Sequence, residues 1–151
     1  MHLPDLLRRR AGERGDRTAL VGEAGRRVTW AGLDTEVDRV ASGLSALGMV
    51  AGYRVMLALP NRVEFVAAYL GALRARLVVV PVNPRSATGE LVRMIADSGT
   101  RLVIADAGTV TTVRQAVAGL EDALAGADDS LRAGTPVPRV VVVDAPALPA
   151  E

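Results

Sequence analysis

The 151-residue chain is half hydrophobic, has a formal net charge of +1 and contains no cysteine; this length favours one domain, 1–151, with a sizeable core. The balanced charge gives no sign of a nucleic-acid partner, and the absence of cysteine excludes disulfides and thiolate metal sites. Because the first residues lack the apolar segment of a signal peptide and no apolar run approaches the ~20 residues of a membrane span, the sequence predicts a soluble cytoplasmic protein without a membrane span.

The N-terminal residues predict a helical arm over 1–16. A short helix over 3–11 is expected, and its inward-facing residues are leucines: Leu3, Leu6 and Leu7. The run Arg8–Arg10 forms either a phosphate-binding patch or a solvated helix face, and the lack of aromatic residues between the arginines favours the solvated face. The only histidine, His2, lies beside the chain start, where it is a poor metal ligand and a poor catalytic base.

Residues 17–53 predict a hairpin and a long helix. Two short β-type segments flank Gly22–Gly25, whose glycines can adopt the positive φ of a tight turn. Thr29 is the predicted N-cap of a helix over about 30–47. The apolar residues of that helix recur at helical spacing: Leu33, Val37, Val40, Leu44 and Leu47. Gly48 follows at the position where a helix-ending glycine is expected.

Residues 54–143 predict a sheet built from repeated strand–helix units. In the first unit, the apolar segments 55–59 and 77–82 flank a helix, for which Asn61 and Glu64 predict a capping box. The two strands of such a unit are parallel and are buried beneath the crossover helix. The order strand, helix, strand therefore indicates a parallel sheet.

The same alternation continues toward the C-terminus. The remaining predicted elements are, in order, helix 88–97, strand 102–105, helix 109–125, loop 126–138, strand 140–143 and a tail, 144–151, that is a linker or a frayed end. Ser86 or Thr88 is the predicted cap of the first of these helices. Together the elements predict an α/β fold: a mainly parallel sheet with helices on both faces and a short N-terminal β-hairpin.

The residues by themselves indicate little chemistry. The first strand-to-helix turn, 59–62, has no glycine that would let the backbone approach a pyrophosphate, and the chain has no P-loop motif. The acidic pair Asp128–Asp129 has no ligand spacing around it and predicts a solvated surface. All eighteen basic residues are arginine, so the chain offers no catalytic lysine. We therefore predict no catalytic residue, no metal site and no complete active site within the chain.

Several motifs in one order nevertheless resemble the opening of the adenylate-forming (AMP-binding) ligases, most closely the acyl-CoA synthetases. They lie between about Leu6 and Asp106 and are the VTW helix start, the ALG-x-x-x-G turn, the LPN-x-x-EF helix start, the VVVPVNPR strand exit and ELVRMIADSGTRLVIAD. The resemblance implies the N-terminal part of that fold. It also implies activation of a carboxylic acid by ATP and Mg²⁺, followed by transfer of the acyl group to coenzyme A, as in fatty acid metabolism.

The resemblance further implies that the working parts lie outside this chain. The family's phosphate loop, its nucleotide and metal ligands and its catalytic lysine belong to later segments, so we expect an inactive N-terminal portion that binds no cofactor itself. Its expected partner is the remainder of the ligase chain, and apolar surface left open would favour self-association. The alternative is a self-contained α/β binding or interaction module without catalytic activity.

One contact carries over from the resemblance. Asn83, Pro84 and Arg85 match a segment that lies near the coenzyme A nucleotide in some acyl-CoA synthetases, and a guanidinium after a strand's carboxyl end can meet a phosphate. Alternatively, Asn83 and Pro84 form a turn and Arg85 is solvated. The chain departs from the family at caps and turns: Gly32, Tyr53, Arg76 and Gly89. Arg76 replaces a helix-ending glycine, where a side chain costs roughly 1 kcal/mol.

Overall fold

The structure is a computed structural model that describes residues 2–143. The predicted tail over 144–151 lies outside these residues. The helices are α1 (Leu3–Arg14), α2 (Trp30–Ala46), α3 (Val63–Arg74), α4 (Thr88–Ser98), α5 (Val110–Ala125) and α6 (Asp129–Gly134). The strands are β1 (Thr18–Val21), β2 (Arg27–Thr29), β3 (Arg54–Ala58), β4 (Val78–Pro81), β5 (Thr100–Asp106) and β6 (Arg139–Val143).

The chain forms two compact units that alternate along the sequence. Within the described residues, unit 1 comprises 2–55 and 60–79, and unit 2 comprises 56–59 and 80–143. The chain thus passes from one unit to the other within β3, after β3 and within β4. The sequence-based division into 1–16, 17–53 and 54–143 concerns consecutive segments, and it stays a prediction.

Two sheets account for the described strands. Strands β1 and β2 form an antiparallel pair joined by a single 3₁₀ turn, Glu23–Gly25. The other four form a parallel sheet in the order β4-β3-β5-β6. Within it, β5 and β6 are in parallel register from Leu102 opposite Arg139 to Asp106 opposite Val143. The predicted α/β class, with a parallel sheet and a short N-terminal hairpin, is confirmed.

The central strands are buried on both faces, as continuous apolar strands predict. Successive residues of a strand point to opposite faces, and the neighbours Met56 and Leu57 of β3 are both fully buried. The same holds for Leu102 and Val103 of β5. An isolated hairpin with one apolar face would alternate instead, so the unbroken runs are what a covered parallel sheet requires.

Unit 1 packs three helices and the hairpin around a small aliphatic cluster. Helix α2 packs against α3, and α1 packs against both. The buried members of the cluster are Leu7, Val28, Leu33, Val37 and Val63. The helices α2 and α3 approach closely at Gly71, where an added Cβ would lie 2.5 Å from Cγ1 of Val40. A glycine is needed there because no side chain fits between the two helices.

Unit 2 has a larger aliphatic core. Helices α4 and α5 pack against each other, and α5 contacts β5 and β6. The largest fully buried members of this core are Met56, Ile95, Val103 and Val113. Helix α6 packs on α5. It lies inside 126–138, so the prediction of an irregular loop there was wrong: the Asp128 carboxylate accepts a hydrogen bond from the Leu131 N–H at 2.8 Å and starts the helix.

Two predicted helix ends are confirmed. The Thr29 hydroxyl oxygen accepts a hydrogen bond from the Gly32 N–H at 3.1 Å and caps α2. Arg76 ends α3 with φ at 59°, the left-handed conformation that favours glycine. The Arg76 N–H donates to the Leu73 carbonyl and the Leu77 N–H to the Ala72 carbonyl, as in a Schellman motif.

Other local predictions were wrong. The N-cap residue of α3 is Arg62, which makes no side-chain capping hydrogen bond, so Asn61 and Glu64 form no capping box. Helix α4 begins after Ala87, again without a side-chain cap, so neither Ser86 nor Thr88 caps it. Helix α1 runs three residues further than predicted, and Leu3 is half exposed rather than turned inward.

Candidate functional site

The carboxyl ends of β3 and β5 are joined by a buried polar cluster in unit 2. Thr109 lies three residues after β5, and its hydroxyl donates a hydrogen bond of 2.7 Å to the Ala58 carbonyl oxygen at the end of β3. The same hydroxyl accepts from the Asp106 N–H at 3.1 Å. Asp106 and Thr109 are 8% and 7% exposed. The cluster therefore fixes the edge of the sheet where ligands of open α/β sheets usually bind.

The Asp106 carboxylate itself is occupied by local donors. Its Oδ1 accepts hydrogen bonds from the backbone N–H groups of Gly108 at 3.0 Å and Thr109 at 3.1 Å. A buried polar group must be paired in this way. These bonds turn the chain from β5 toward α5, so the side chain serves the turn and is not placed as a free base or metal ligand.

Asn83, Pro84 and Arg85 follow β4 and form an exposed turn. The Asn83 Oδ1 accepts a hydrogen bond from the Arg85 N–H at 2.9 Å, and the Asn83 carbonyl accepts from the Ser86 N–H at 2.9 Å. All three residues are exposed. Within residues 2–143, no hydrogen bond or ion pair engages the Arg85 guanidinium. The turn alternative of the sequence analysis is thus formed, and it presents a guanidinium to solvent.

Unit 1 contains a charged cluster that the sequence analysis missed. Arg62 Nε donates to Glu64 Oε2 at 2.7 Å, and Arg26 Nη1 donates to Glu64 Oε1 at 2.7 Å. Burial raises the pKa of Glu64, but hydrogen bonds from Arg62, from its own backbone N–H and from Arg26 outweigh burial, so the pKa lies below the ordinary 4.5. Glu64 is therefore a fixed anion that ties the hairpin to the start of α3.

A second ion-pair network in unit 1 surrounds Arg74 near the end of α3. Its Nη2 contacts the Asp34 carboxylate at 2.6 Å, and its Nη1 contacts the Asp38 carboxylate at 2.8 Å. Nη2 also donates to the Pro4 carbonyl at 3.2 Å. The Arg74 side chain is only 10% exposed, and its buried Nε has no hydrogen-bond partner, an arrangement that costs about 1–3 kcal/mol.

The described chain offers binding chemistry through an exposed guanidinium at the sheet edge. No group of three or more histidine, cysteine, aspartate or glutamate residues is placed to hold a metal ion in the described part of the chain. No helix in that part is long and apolar enough to cross a membrane. The exposed guanidinium of Arg85 is the feature of the sheet edge that fits a phosphate or carboxylate.

Comparison with known proteins identifies the class. The family model described as "AMP-binding enzyme" matches residues 7–151. The chain belongs to this family of AMP-binding enzymes, which confirms the resemblance drawn from the ordered motifs.

Individual relatives of the chain are CoA ligases. The chain is 36% identical over 115 residues to 4-coumarate–CoA ligase 5 of Oryza sativa subsp. japonica, covering 74% of this chain and 21% of that protein. It is 41% identical over 78 residues to the long-chain-fatty-acid–CoA ligase FadD13 of Mycobacterium tuberculosis, covering 52% of this chain and 16% of that protein. The chain thus spans only about a fifth of the length of these curated relatives.

The fold is also that of solved relatives. The inhibitor-bound N-terminal domain of FACL13 from Mycobacterium tuberculosis superposes with a TM-score of 0.76 and 31% identity, covering 94% of this chain and 33% of that one. The architecture of the described residues is thus that of the N-terminal region of adenylate-forming ligases.

Proposed function

We propose that this chain is the N-terminal portion of an ATP-dependent acid–thiol ligase of the acyl-CoA synthetase type, and that it is inactive by itself. The family match over residues 7–151 carries the proposal. The ligases it resembles form an acyl-adenylate and pyrophosphate from an acid and ATP, and then a thioester with coenzyme A. In this assignment the chain supplies scaffold for that reaction.

The residues present do not fit ATP and Mg²⁺. The chain has no lysine and no glycine-rich phosphate loop, and its described part has no metal-binding group of acidic residues. Stabilising charge on a transferring phosphoryl group requires such cations and backbone donors. We therefore derive no catalytic step from these residues, and ATP, Mg²⁺ and coenzyme A are cofactors of the longer ligase.

Pyrophosphate exchange tests this assignment. The 151-residue chain is incubated with ATP, Mg²⁺, labelled pyrophosphate and a panel of fatty and aryl acids, alongside the same chain extended by whatever coding sequence follows Glu151. We expect exchange from the extended chain alone. Exchange by the short chain would overturn its inactivity, and no exchange by an extended chain that contains a phosphate loop would overturn the ligase assignment.

The alternative, a self-contained α/β binding module without catalysis, makes a different genetic prediction. It requires a stop codon directly after Glu151, whereas the ligase assignment requires an open reading frame with a phosphate loop soon afterwards. Sequencing the locus separates the two.

Within the proposed ligase, we assign Arg85 to a phosphate of coenzyme A. The Asn83 turn holds the Arg85 backbone through a 2.9 Å hydrogen bond, and Arg–phosphate pairs are short and strong when the guanidinium is otherwise unengaged. In the extended ligase, Arg85→Gln should raise KM for coenzyme A about fivefold and leave KM for ATP unchanged. Arg93→Gln, at an exposed arginine of α4, is the control. Equal KM values for coenzyme A in the two variants would refute the assignment.

We also infer that the isolated chain self-associates. Val21 of β1 and Val50 after α2 are 62% and 56% exposed, and Val78 of the edge strand β4 is 49% exposed. Edge strands with exposed β-branched residues favour pairing with another copy. Light scattering across a dilution series should show mass above 15.8 kDa at high concentration; a constant monomer mass would contradict this inference.

A further inference from the structure

A cavity in unit 1 has the composition of a small-molecule site. It has a volume of about 720 Å³ and lies between the start of α1 and the end of α3. That volume is within the range typical of ligand pockets. Its apolar wall is formed by Leu3, Pro4, Leu73 and Leu77. Three arginines also line it: Arg8, Arg74 and Arg76.

One of the three arginines that line the cavity has no side-chain partner among the described residues. Arg74 is engaged by Asp34 and Asp38. In the described chain, the Arg76 guanidinium has no hydrogen bond or ion pair. Arg8 has one contact, 3.4 Å from Asp38, between side chains that are both more than half exposed, and such a pair is weak. The carboxylate among the lining residues is Asp5, and Asp38 is shared by Arg8 and Arg74.

Two of the arginines that line the cavity have unusual features. The buried Nε of Arg74 lacks a partner. Arg76 lines the cavity and has a left-handed backbone with φ at 59°, a conformation that any residue other than glycine adopts at a cost. A glycine would satisfy the helix end better, so the arginine is not explained by the requirements of α3.

We propose that this cavity binds a small amphipathic anion, with its carboxylate or phosphate head on Arg76 and Arg8 and its apolar body against Leu73 and Leu77. Guanidinium groups pair with both head groups through two parallel N–H donors. The apolar wall selects against inorganic ions and favours a ligand with a hydrocarbon or aryl body. The proposal rests on these residues alone and does not depend on the ligase assignment.

The test is calorimetric titration of the 151-residue chain with three probes of equal chain length: octanoate, octyl phosphate and octanamide. We expect at least one of the anions to bind, and the neutral amide to bind at least tenfold more weakly. Preference for octanoate would identify a carboxylic acid as the ligand class, and preference for octyl phosphate a phosphate ester. Equal binding of the amide, or no binding of either anion, would overturn the proposal.

Matched variants separate binding from folding. Arg76→Gly removes the guanidinium and relieves the left-handed backbone, so this variant should be at least as stable as the parent and yet bind the preferred anion about tenfold more weakly. Ala24→Gly relieves the same kind of strain, at φ 54°, away from the cavity lining. It should leave binding unchanged. Anion affinity within twofold of the parent in Arg76→Gly would reject the assignment of the head-group site.

Discussion

The core of unit 2 is a continuous set of aliphatic side chains, whereas unit 1 surrounds a smaller aliphatic cluster with partly buried ion pairs. In unit 2 the buried polar cluster is Asp106 with Thr109, and the Thr109 hydroxyl also bonds the Ala58 carbonyl, 51 positions away. In unit 1 the corresponding ties, Arg74 to Asp34 and Arg26 to Glu64, join residues 40 and 38 positions apart. The difference teaches that the same chain joins distant segments by ion pairs between side chains in one unit and by hydrogen bonds to backbone groups in the other.

The largest expected effect comes from Arg74 in unit 1. Arg74→Met should destabilise the protein by about 3 kcal/mol, because it leaves the Asp34 carboxylate, 19% exposed, without its cation. Urea unfolding followed by the fluorescence of Trp30, the single tryptophan, reports this region. The double variant Arg74→Met with Asp34→Asn should recover part of the loss, since the unpaired charge is gone. No recovery would mean that packing rather than charge governs this site.

A glycine pair compares helix contacts in the two units. Gly71→Ala in α3 should cost about 2 kcal/mol, because the new Cβ would lie 2.5 Å from Val40 Cγ1 and 3.2 Å from the Val37 carbonyl oxygen. Gly119→Ala in α5 meets Val92 Cγ2 only at 3.5 Å, and should stabilise the helix by up to about 1 kcal/mol. Urea midpoints measured by circular dichroism test both; equal shifts would contradict the close approach.

The polar cluster of unit 2 should respond differently from the ion pairs. Thr109→Val should cost about 1–2 kcal/mol, because the Ala58 carbonyl and the Asp106 N–H lose their buried partner. The loss should be the same at low and high salt, since the bonds are buried and no ion pair is broken. Thr109→Ser, which keeps the hydroxyl, is the control. If the loss of stability depended on salt, the unit 2 cluster would behave like the ion pairs of unit 1, contrary to this prediction.

Acid should weaken unit 1 through Glu64. Because its pKa is lower in the folded protein than in the unfolded chain, its pairing stabilises the fold above pH 4.5 and this contribution is lost as the pH falls through the folded pKa. Glu64→Gln should lower the free energy of unfolding by about 1 kcal/mol at neutral pH. Below pH 4.5 the stability of this variant should depend less on pH than that of the parent. Native-state hydrogen exchange of the α3 amides measures this stability as a function of pH. A variant with the same pH profile as the parent would be evidence against a stabilising role of the Glu64 carboxylate.

The pattern of apolar residues was enough to predict the longer helices and the strands of the parallel sheet. The spacing of Leu33, Val37 and Leu44 predicted α2 because a helix that packs on one side must repeat its apolar face every three or four residues. The valine run at 140–143 predicted β6 for the same kind of local reason. Periodicity was insufficient for α6, which is only six residues long; its sequence signal was the capping Asp128.

The charged ties could not be read from the sequence. Glu64 was interpreted as half of a capping box, but Arg26, 38 residues away, and Arg62 hold its carboxylate instead. No local spacing encodes a pair that tertiary packing creates. The turn at the end of β4 was easier to predict from the sequence, since Asn83-Pro84 is typical of a turn. Asp106 with Gly108 and Thr109 also forms a recognisable Asx-type turn, a signal that the sequence analysis left unused.

The alternation of the two units along the chain has a consequence for biosynthesis. Strand β3 is flanked by β4 and β5 in the sheet, yet β5 begins at Thr100, more than forty residues after β3 ends at Ala58. During vectorial translation, Met56 and Leu57 leave the ribosome well before the strand that completes their neighbourhood. The apolar residues of β3 therefore lack one neighbouring strand until β5 is synthesised, and no single cleavage of the polypeptide can release either unit whole.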